Sequence, residues 1–305
     1  MKIVYKILLL LGVATMTACS GCQSNTTQTT VEKTIVIANQ NHWKKSATDL
    51  IWQFQKMNAD IYCAEECQNV DLEELKEAGL NVYSHANNHK AACCIVSKLP
   101  FAGQTPNGYG TYFDLGDGVK ILVMVCHGNH VPYGPYQFAG IKYGHQYEIY
   151  DTPENVWKAN KESRQDMVDL ILEDLKSATT DKIVLCGDFN EPSWLDWTEA
   201  TTKAGTTPCK LEWPTTKSLS DGGLDGDAYR TIHPDPVSDP GYTWSSKPAE
   251  RDTKDRIDFI LYKKGHKIDV TSCEVVGEST ETSDDVIDPW YFDHRAVRAT
   301  FRFRR

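Results

Sequence analysis

The chain has 305 residues, with 32 Lys and Arg against 42 Asp and Glu, and a formal net charge of -10. That balance disfavours a duplex-DNA binder, whose affinity comes from cationic neutralisation of phosphates, and no basic stripe occurs outside Arg302, Arg304 and Arg305. The length admits one large domain with a substantial core, and no repeat or coiled-coil heptad divides it.

The first residues read as an export signal. Lys2 and Lys6 supply a positive flank and Ile7 to Ala14 an apolar run too short to span a bilayer. Met16-Thr17-Ala18-Cys19 resembles a bacterial lipobox, in which small residues precede a cysteine that is lipidated and becomes the new N-terminus. An ordinary signal peptide cut nearby, with Cys19 incidental, is the alternative. The polar, low-complexity stretch Ser20 to Thr30 favours the lipoprotein, because an anchor needs a tether. The expected organisation is a signal peptide at 1–18, a tether at 19–32 and a catalytic domain at 33–305. The product would be exported, anchored to a membrane through Cys19 and monomeric. Cleavage removes two lysines and no acid, leaving a charge of about -12.

Along the domain, Thr34 to Ala38 reads as a strand, and Ser46 caps a helix with Ala47, Leu50, Ile51 and Phe54 on one face. Asp60 to Ala64 is the next strand, followed by a helix at Asp71 to Ala78 closed by Gly79. Strands follow near Asn81 to Ser84 and Cys93 to Ser97. Gly116-Asp117-Gly118 joins Thr111–Leu115 to Val119–Cys126 as a hairpin. Asn160 to Lys176 is the longest amphipathic helix. Strands recur at Ile183–Cys186, Ile257–Tyr262, Val270–Val276 and Ala296–Phe303. The long Gly, Pro, Ser and Asp-rich stretch from Pro192 to Lys254 is expected to line a site, since long irregular connections are usually functional or disordered and its aromatics oppose disorder. Of the ten cysteines, Cys63, Cys126 and Cys186 sit in strand patterns as small hydrophobes. Cys22, Cys67, Cys93, Cys94, Cys209 and Cys273 are the better candidates for bridges, in a connectivity the sequence does not give. No paired CxxC spacing exists and most candidate ligands are oxygen donors, which argues against zinc.

The chemistry gathers at strand ends. Ile183 to Cys186 stops in Gly187-Asp188-Phe189-Asn190-Glu191-Pro192, where Gly187 permits a close backbone approach and Pro192 ends the ladder. Asp188 and Asn190, two apart, would project to the same side and offer a hard oxygen for a cation and a carboxamide for a phosphoryl oxygen. Asn41 follows the first strand, Glu66 ends the second, and His127 ends Ile121–Cys126. Asp258 lies in Arg256-Ile257-Asp258-Phe259, and Asp293-His294 precedes the last strand. Singly, each is more often a surface carboxylate, a satisfied histidine or, for Asp258, an ion-pair partner of Arg256. Six such sites in one arrangement point to a catalytic centre.

In that order the chain resembles the endonuclease/exonuclease/phosphatase superfamily of metal-dependent phosphoesterases, over roughly residues 34 to 303. Asp60-Ile61-Tyr62-Cys63-Ala64-Glu65-Glu66 is similar to its "DIIxLQE" strand, with Glu65 where glutamine is usual. Ile95-Val96-Ser97-Lys98-Leu99-Pro100 is similar to "ILSRFP", and Cys126-His127-Gly128-Asn129-His130 to "THLDH" with cysteine for threonine. Gly187-Asp188-Phe189-Asn190, Arg256-Ile257-Asp258-Phe259 and Asp293-His294-Arg295 match the last three motifs. The resemblance implies an α/β fold, a four-layer α/β/β/α sandwich of two packed mixed sheets flanked by helices. It also implies Mg²⁺ or Mn²⁺ on Glu66 with Asn41, and Asp293 within reach of the metal. Asp188 would activate water, Asn190 would donate to a phosphate oxygen, and His127 and His294, the latter oriented by Asp258, would contact the phosphate.

For the substrate, the aromatics at His130–Tyr136, Trp157, Trp194, Trp197, Trp213, Tyr229 and Tyr242–Trp244 would border the site or close a satellite core. His130, Tyr133 and Trp194 are the candidate wall residues, and Arg164 and Arg230 are either second phosphate contacts or partners of the many acids. The expected activity is hydrolysis of a phosphodiester or phosphomonoester, small or lipid-linked. An extracellular nuclease is the alternative. A non-catalytic binding lipoprotein on the same scaffold is opposed by the intact Glu66, Asp188, Asn190, Asp258 and His294.

Overall fold

In the computed structural model the described residues are 31–84, 93–144, 148–150, 152–247 and 252–305. The expectations for the signal peptide, Cys19, Cys22 and the tether up to Thr30 lie outside them. The order opens with β1 (Glu32–Asn41), α1 (Ala47–Met57), β2 (Ile61–Glu65), α2 (Leu72–Glu77), β3 (Asn81–Ser84) and β4 (Cys94–Ser97). It continues with β5 (Gly110–Asp114), β6 (Lys120–His127), α3 (Gly134–Phe138), α4 (Pro153–Lys176) and β7 (Ile183–Asp188). The rest is α5 (Glu199–Ala204), α6 (Pro214–Asp221), β8 (Gly226–Asp227), α7 (Ala228–Ile232), β9 (Asp258–Tyr262), β10 (Ile268–Gly277), β11 (Asp285–Val286) and β12 (Ala296–Arg304).

The apolar runs are continuous because their strands are covered on both faces. Along β6, Ile121, Val123 and Val125 face the core between the sheets, while Leu122, Met124 and Cys126 face α4 with Val168 and Ile171. One sheet has the order β11-β10-β12-β1-β2-β4-β3, the other β5-β6-β7-β9-β8. Each mixes parallel pairs, such as β1 with β2 and β6 with β7, with antiparallel ones. The inter-sheet core joins Ile35, Ile37, Phe301 and Phe303 of the first to Val123, Val184 and Ile260 of the second. Ala38, Tyr62 and Ala64 point the other way, against Leu50, Phe54 and Met57 of α1. The architecture is therefore an α/β sandwich of two packed mixed sheets with flanking helices, as the sequence implies.

Local signals explain most boundaries. Ser46 and Asp49 form a capping box on α1. The β5–β6 hairpin turns at Gly116, Asp117 and Gly118, all at positive φ. The longest helix begins at Pro153 rather than Asn160, because Thr152 caps it and Pro153 takes the first position, where a missing N–H costs nothing. The extra two turns, Pro153 to Ala159, bury Val156. Among the described bridge candidates, Cys67, Cys94, Cys209 and Cys273 are free thiols. Most are buried among apolar side chains, and Cys94 donates to the Cys67 sulfur at 3.4 Å without a covalent link.

Candidate active site

Six strand termini deliver one cluster of acids, amides and imidazoles. Asn41 at the end of β1, Glu66 after β2 and His294 before β12 come from the larger sheet, and His127, Asp188 and Asp258 from β6, β7 and β9 of the smaller. The two sets meet through side chains. Asn41 Nδ2 donates to Glu66 Oε1 and to Asp188 Oδ2, each at 3.0 Å. His294 Nδ1 lies 3.0 Å from Asp258 Oδ2, and its Nε2 3.8 Å from Asp188 Oδ2. His127 Nε2 is 3.5 Å from Asp188 Oδ2 and 3.8 Å from Glu66 Oε1.

The backbone is shaped for this meeting. Gly187 and Gly128 admit no side chain, since a Cβ would stand 2.4 Å from Cys126 O and 2.2 Å from Phe189 O respectively. Asn190 does not reach the cluster by strand alternation, because β7 ends at Asp188. Its N–H donates to Asp188 Oδ1 at 2.8 Å, its φ is 50°, and its Nδ2 then reaches Gly128 O at 3.1 Å and His127 Nε2 at 3.0 Å. Glu66 also stands at positive φ, 54°, where the chain leaves β2. His294 is fixed from behind: its carbonyl accepts from Gln40 Nε2 and Trp290 Nε1, and the Trp244 ring lies 4.7 Å from its own. Asp258 N and Ile257 N both donate to Thr243 Oγ1.

Burial would raise the Asp188 carboxyl, but His294, His127 and the Asn41 amide hold its pKa down at about 2. Burial likewise opposes the His294 imidazolium, and Asp258 and Asp188 overcome it, holding its pKa up at about 10. At neutral pH the pair is a carboxylate beside an imidazolium. His127 is also pushed upward, against burial, by Asp188 and Glu66. A proton on its Nε2 requires the Asn190 carboxamide to turn its oxygen toward the ring, because the amide nitrogen now faces it.

Glu65 is a feature the sequence shows only as a departure from a motif. It is fully buried, and neither carboxylate oxygen has a hydrogen-bond partner. Desolvation first, then the nearby Asp258 and Asp188, push its pKa well above the ordinary 4.5. A carboxyl raised on folding binds its proton more tightly in the folded chain, so its effect on stability worsens as pH rises above the unfolded value. Glu65→Gln, measured by urea denaturation in EDTA, is expected to gain about 1–3 kcal/mol at pH 8 and to gain little at pH 4. An equal change at both pH values would refute the assignment of a buried, strained carboxyl.

The cluster opens into a cleft of about 300 Å³ lined by Glu66, His127, His130, Asp188, Asn190, Asp293 and His294, with Tyr133, Tyr136, Tyr143, Trp43 and Trp244 as its aromatic walls. The donors suit a hard divalent cation: the carboxylates converge, and Asp258 Oδ1 is buried without a partner. Asp188, Asp258 and His294 bring ligand atoms within 4.8 Å of one another. Asn41 differs from expectation in its orientation, as its Oδ1 accepts from Trp43 N at 2.9 Å and its nitrogen faces the carboxylates.

Three candidate substrate residues fall elsewhere. Arg164 is fully buried and does not line the cleft; it donates to the carbonyls of Phe189, Asn190 and Pro132 and lies 3.7 Å from Glu191. Arg230 pairs with Asp196 at 2.9 Å and donates to the carbonyls of His233, Asp239 and Pro240. It lines a second cavity of about 340 Å³, most of whose lining residues come from the Pro192–Lys254 stretch. Trp194 lies outside the cleft beside Thr216 and Lys217. Arg256 pairs with Asp196 and Asp227 rather than with Asp258. Trp197 and Trp213 form a satellite core with Val156, as one reading of the aromatics proposed. Sequence reasoning missed Tyr143 and Gln68, which no strand pattern or motif marks, and passed over Trp43 beside Asn41.

A two-sheet sandwich with paired acids, amides and histidines at one edge defines a hydrolase of the phosphoester-cleaving kind. The endonuclease/exonuclease/phosphatase family model matches residues 37–284, and the chain belongs to that family, whose members are hydrolases acting on phosphoesters and typically use divalent metals. An uncharacterized protein of Caenorhabditis elegans, F14F9.5, is 33% identical over 167 residues, 52% of each chain, so the match spans about half the length of that curated relative. Among solved structures, an endonuclease/exonuclease/phosphatase family protein from Bacteroides thetaiotaomicron superposes with a TM-score of 0.54 at 13% identity, covering 90% of this chain and 99% of that one. The 3' phosphatase NExo from Neisseria, bound to product DNA hairpin, gives 0.52 at 18% identity, covering 87% and 98%. At these identities the likeness concerns the fold.

Proposed function

We propose that this chain is an exported, metal-dependent phosphoesterase that hydrolyses a small-molecule or lipid-linked phosphoester by attack of an activated water. The observation that carries it is the cross-sheet arrangement of Asp188, kept ionised, beside His294, kept protonated on Asp258, with Asn190 and His127 in the same cleft. Water forms the new P–O bond and gives its proton to Asp188. Asn190 and the His294 imidazolium meet charge on the phosphoryl oxygens, and the ester P–O bond breaks as its oxygen takes a proton from His127. Mg²⁺ or Mn²⁺, held by Glu66 with Asp293, and by Asn41 once its carboxamide turns to present Oδ1, would neutralise phosphoryl charge.

The full chain, given Mg²⁺ or Mn²⁺, is expected to cleave aryl phosphate mono- or diesters and to stop in EDTA. Cleavage confined to single- or double-stranded DNA would establish the nuclease alternative instead. Absence of turnover on esters, nucleotides, phospholipids and DNA would sink the enzyme reading and leave a binding protein.

Export and anchoring rest on Lys2, Lys6, the apolar run and Cys19. In cells labelled with a radioactive fatty acid, the chain is expected to carry label and sediment with membranes. Cys19→Ser is expected to lose both properties, and a labelled Cys19→Ser chain would refute the anchor.

A further inference from the structure

Among the described residues, five large hydrophobic side chains are exposed, and two of them, Trp43 at 44% and Tyr143 at 41%, line the cleft. Tyr143 ends a chain of touching rings. Its centroid is 5.8 Å from His130 and 5.5 Å from Tyr136, which in turn lies 4.7 Å from Tyr133, every pair edge to face. The inner rings are held rigidly: Tyr133 donates to Asp255 and Tyr136 to Asp252, each at 2.8 Å, and both are packed with Ile257. A satellite core accounts for Tyr133 and Tyr136, which are buried. It does not account for Tyr143, which extends the same wall into solvent.

Charge and size restrict what such a wall can receive. Among the described lining residues there is no Lys or Arg, so once the cation and the His127 and His294 rings serve the phosphoryl group, a second phosphate or carboxylate on the ligand finds no further basic side chain. About 300 Å³ is at the small end for ligand sites, enough for a phosphoryl group and one ring rather than a two-chain lipid or an oligonucleotide. A preformed row of aromatic rings binds a planar ring with little ordering cost.

We propose that the cleft is specific for a phosphate ester carrying one uncharged planar ring, with the phosphoryl group at His127, Asn190 and His294 and the ring stacked on Tyr143. The inference rests on the phosphoesterase reading and narrows it. It makes Tyr143 a specificity-determining residue for which nothing in the motifs accounts.

The test compares two esters of similar leaving group, benzyl phosphate and ethyl phosphate, on the full chain with Mg²⁺, with choline phosphate as a charged ringless control. Benzyl phosphate is expected to have the higher kcat/KM. Tyr143→Ala should lower that value on the order of tenfold through KM, with kcat and the ethyl ester little changed, while Tyr143→Phe should retain it. A parallel binding measurement by calorimetry uses benzylphosphonate and ethylphosphonate, which are not hydrolysed. Wild type should prefer the benzyl compound and Tyr143→Ala should lose that preference. Equal use or binding of the benzyl and ethyl compounds, preference for choline phosphate, or a Tyr143→Ala loss shared by both esters would overturn the ring specificity. If Asp188→Ala still abolishes hydrolysis in that case, the phosphoesterase reading survives; if no ester is cleaved but benzylphosphonate binds through Tyr143, the reverse holds.

Discussion

Asp188→Ala and His294→Ala are each expected to lower kcat/KM for a phosphoester on the order of 10²–10⁴-fold, with the fold retained. The reason lies in how each group is tuned. Asp188 is buried yet ionised, because His294, His127 and Asn41 surround it, so it can accept a proton without first losing one. His294 is a cation because Asp258 and Asp188 outweigh burial. Removing Asp188 leaves His294 with Asp258, and removing His294 leaves Asp188 with His127 and Asn41, so each loss breaks the charged pair. The signs also set a pH window. A histidine whose pKa rises on folding contributes stability below its unfolded value, near 6.5, and loses it as pH climbs through about 10. A carboxylate depressed on folding contributes above 3.8 and loses that contribution as pH falls toward about 2. The metal-free chain should therefore keep the pair charged from roughly pH 4 to pH 9. NMR titration of the His294 ring should show no deprotonation at pH 8, and in Asp258→Asn the ring should titrate at lower pH. A His294 neutral at pH 7 in the wild type would contradict this account.

Arg164→Met is expected to destabilise the chain by about 3–5 kcal/mol, enough to consume much of a typical domain's stability. The guanidinium is fully buried and knits the loop after β6, through Pro132 O at 3.1 Å, to the loop after β7, through Phe189 O at 3.1 Å and Asn190 O at 2.7 Å. It also donates to Asn160 Oδ1 and Ser163 Oγ on its own helix. Without it, those carbonyls lose a donor at once and the buried Glu191 keeps only its bond from Thr215 N, with no counter-charge. Arg164→Lys keeps the charge but not the fork that spans both loops, so it should fall between the two. Denaturant midpoints measure stability, and the soluble Arg164→Lys chain gives the kinetic readout: kcat should fall more than KM rises, because Asn190 is held through its carbonyl. A Met variant within about 1 kcal/mol of wild type would show that the guanidinium is dispensable.

The sheet architecture was legible because strands buried on both faces leave unbroken apolar runs, and Ile183–Cys186 and Ile121–Cys126 are such runs. The site acids and histidines were legible because each stands where an apolar run stops or begins. Arg164 was misread for a physical reason. A helical arginine near a phosphate motif looks the same in sequence whether it points to substrate or to backbone carbonyls, and only burial tells the two apart. Arg230 was misplaced because the stretch between Pro192 and Lys254 lines most of a separate cavity that holds Asp196 and Arg230, and Trp194 packs beside Thr216 and Lys217 of α6. Asn190 was placed at the site by the wrong geometry, since a turn rather than the strand pleat carries it there. Tyr143 carries no periodic or motif signal.

The division of the centre between the two sheets has a consequence for how the molecule fails. Asn41, Glu66 and His294 are attached to one sheet and His127, Asp188 and Asp258 to the other, so the reactive arrangement exists only while the apolar layer between them is closed. Each sheet could keep its ladders after a slight parting, yet the bonds from Asn41 to Asp188 and from His294 to Asp258 could not stretch to follow. Turnover is thus a more sensitive gauge of interlayer docking than any measure of strand content, and under mild denaturant or heat it should vanish while the far-ultraviolet signature of the strands persists.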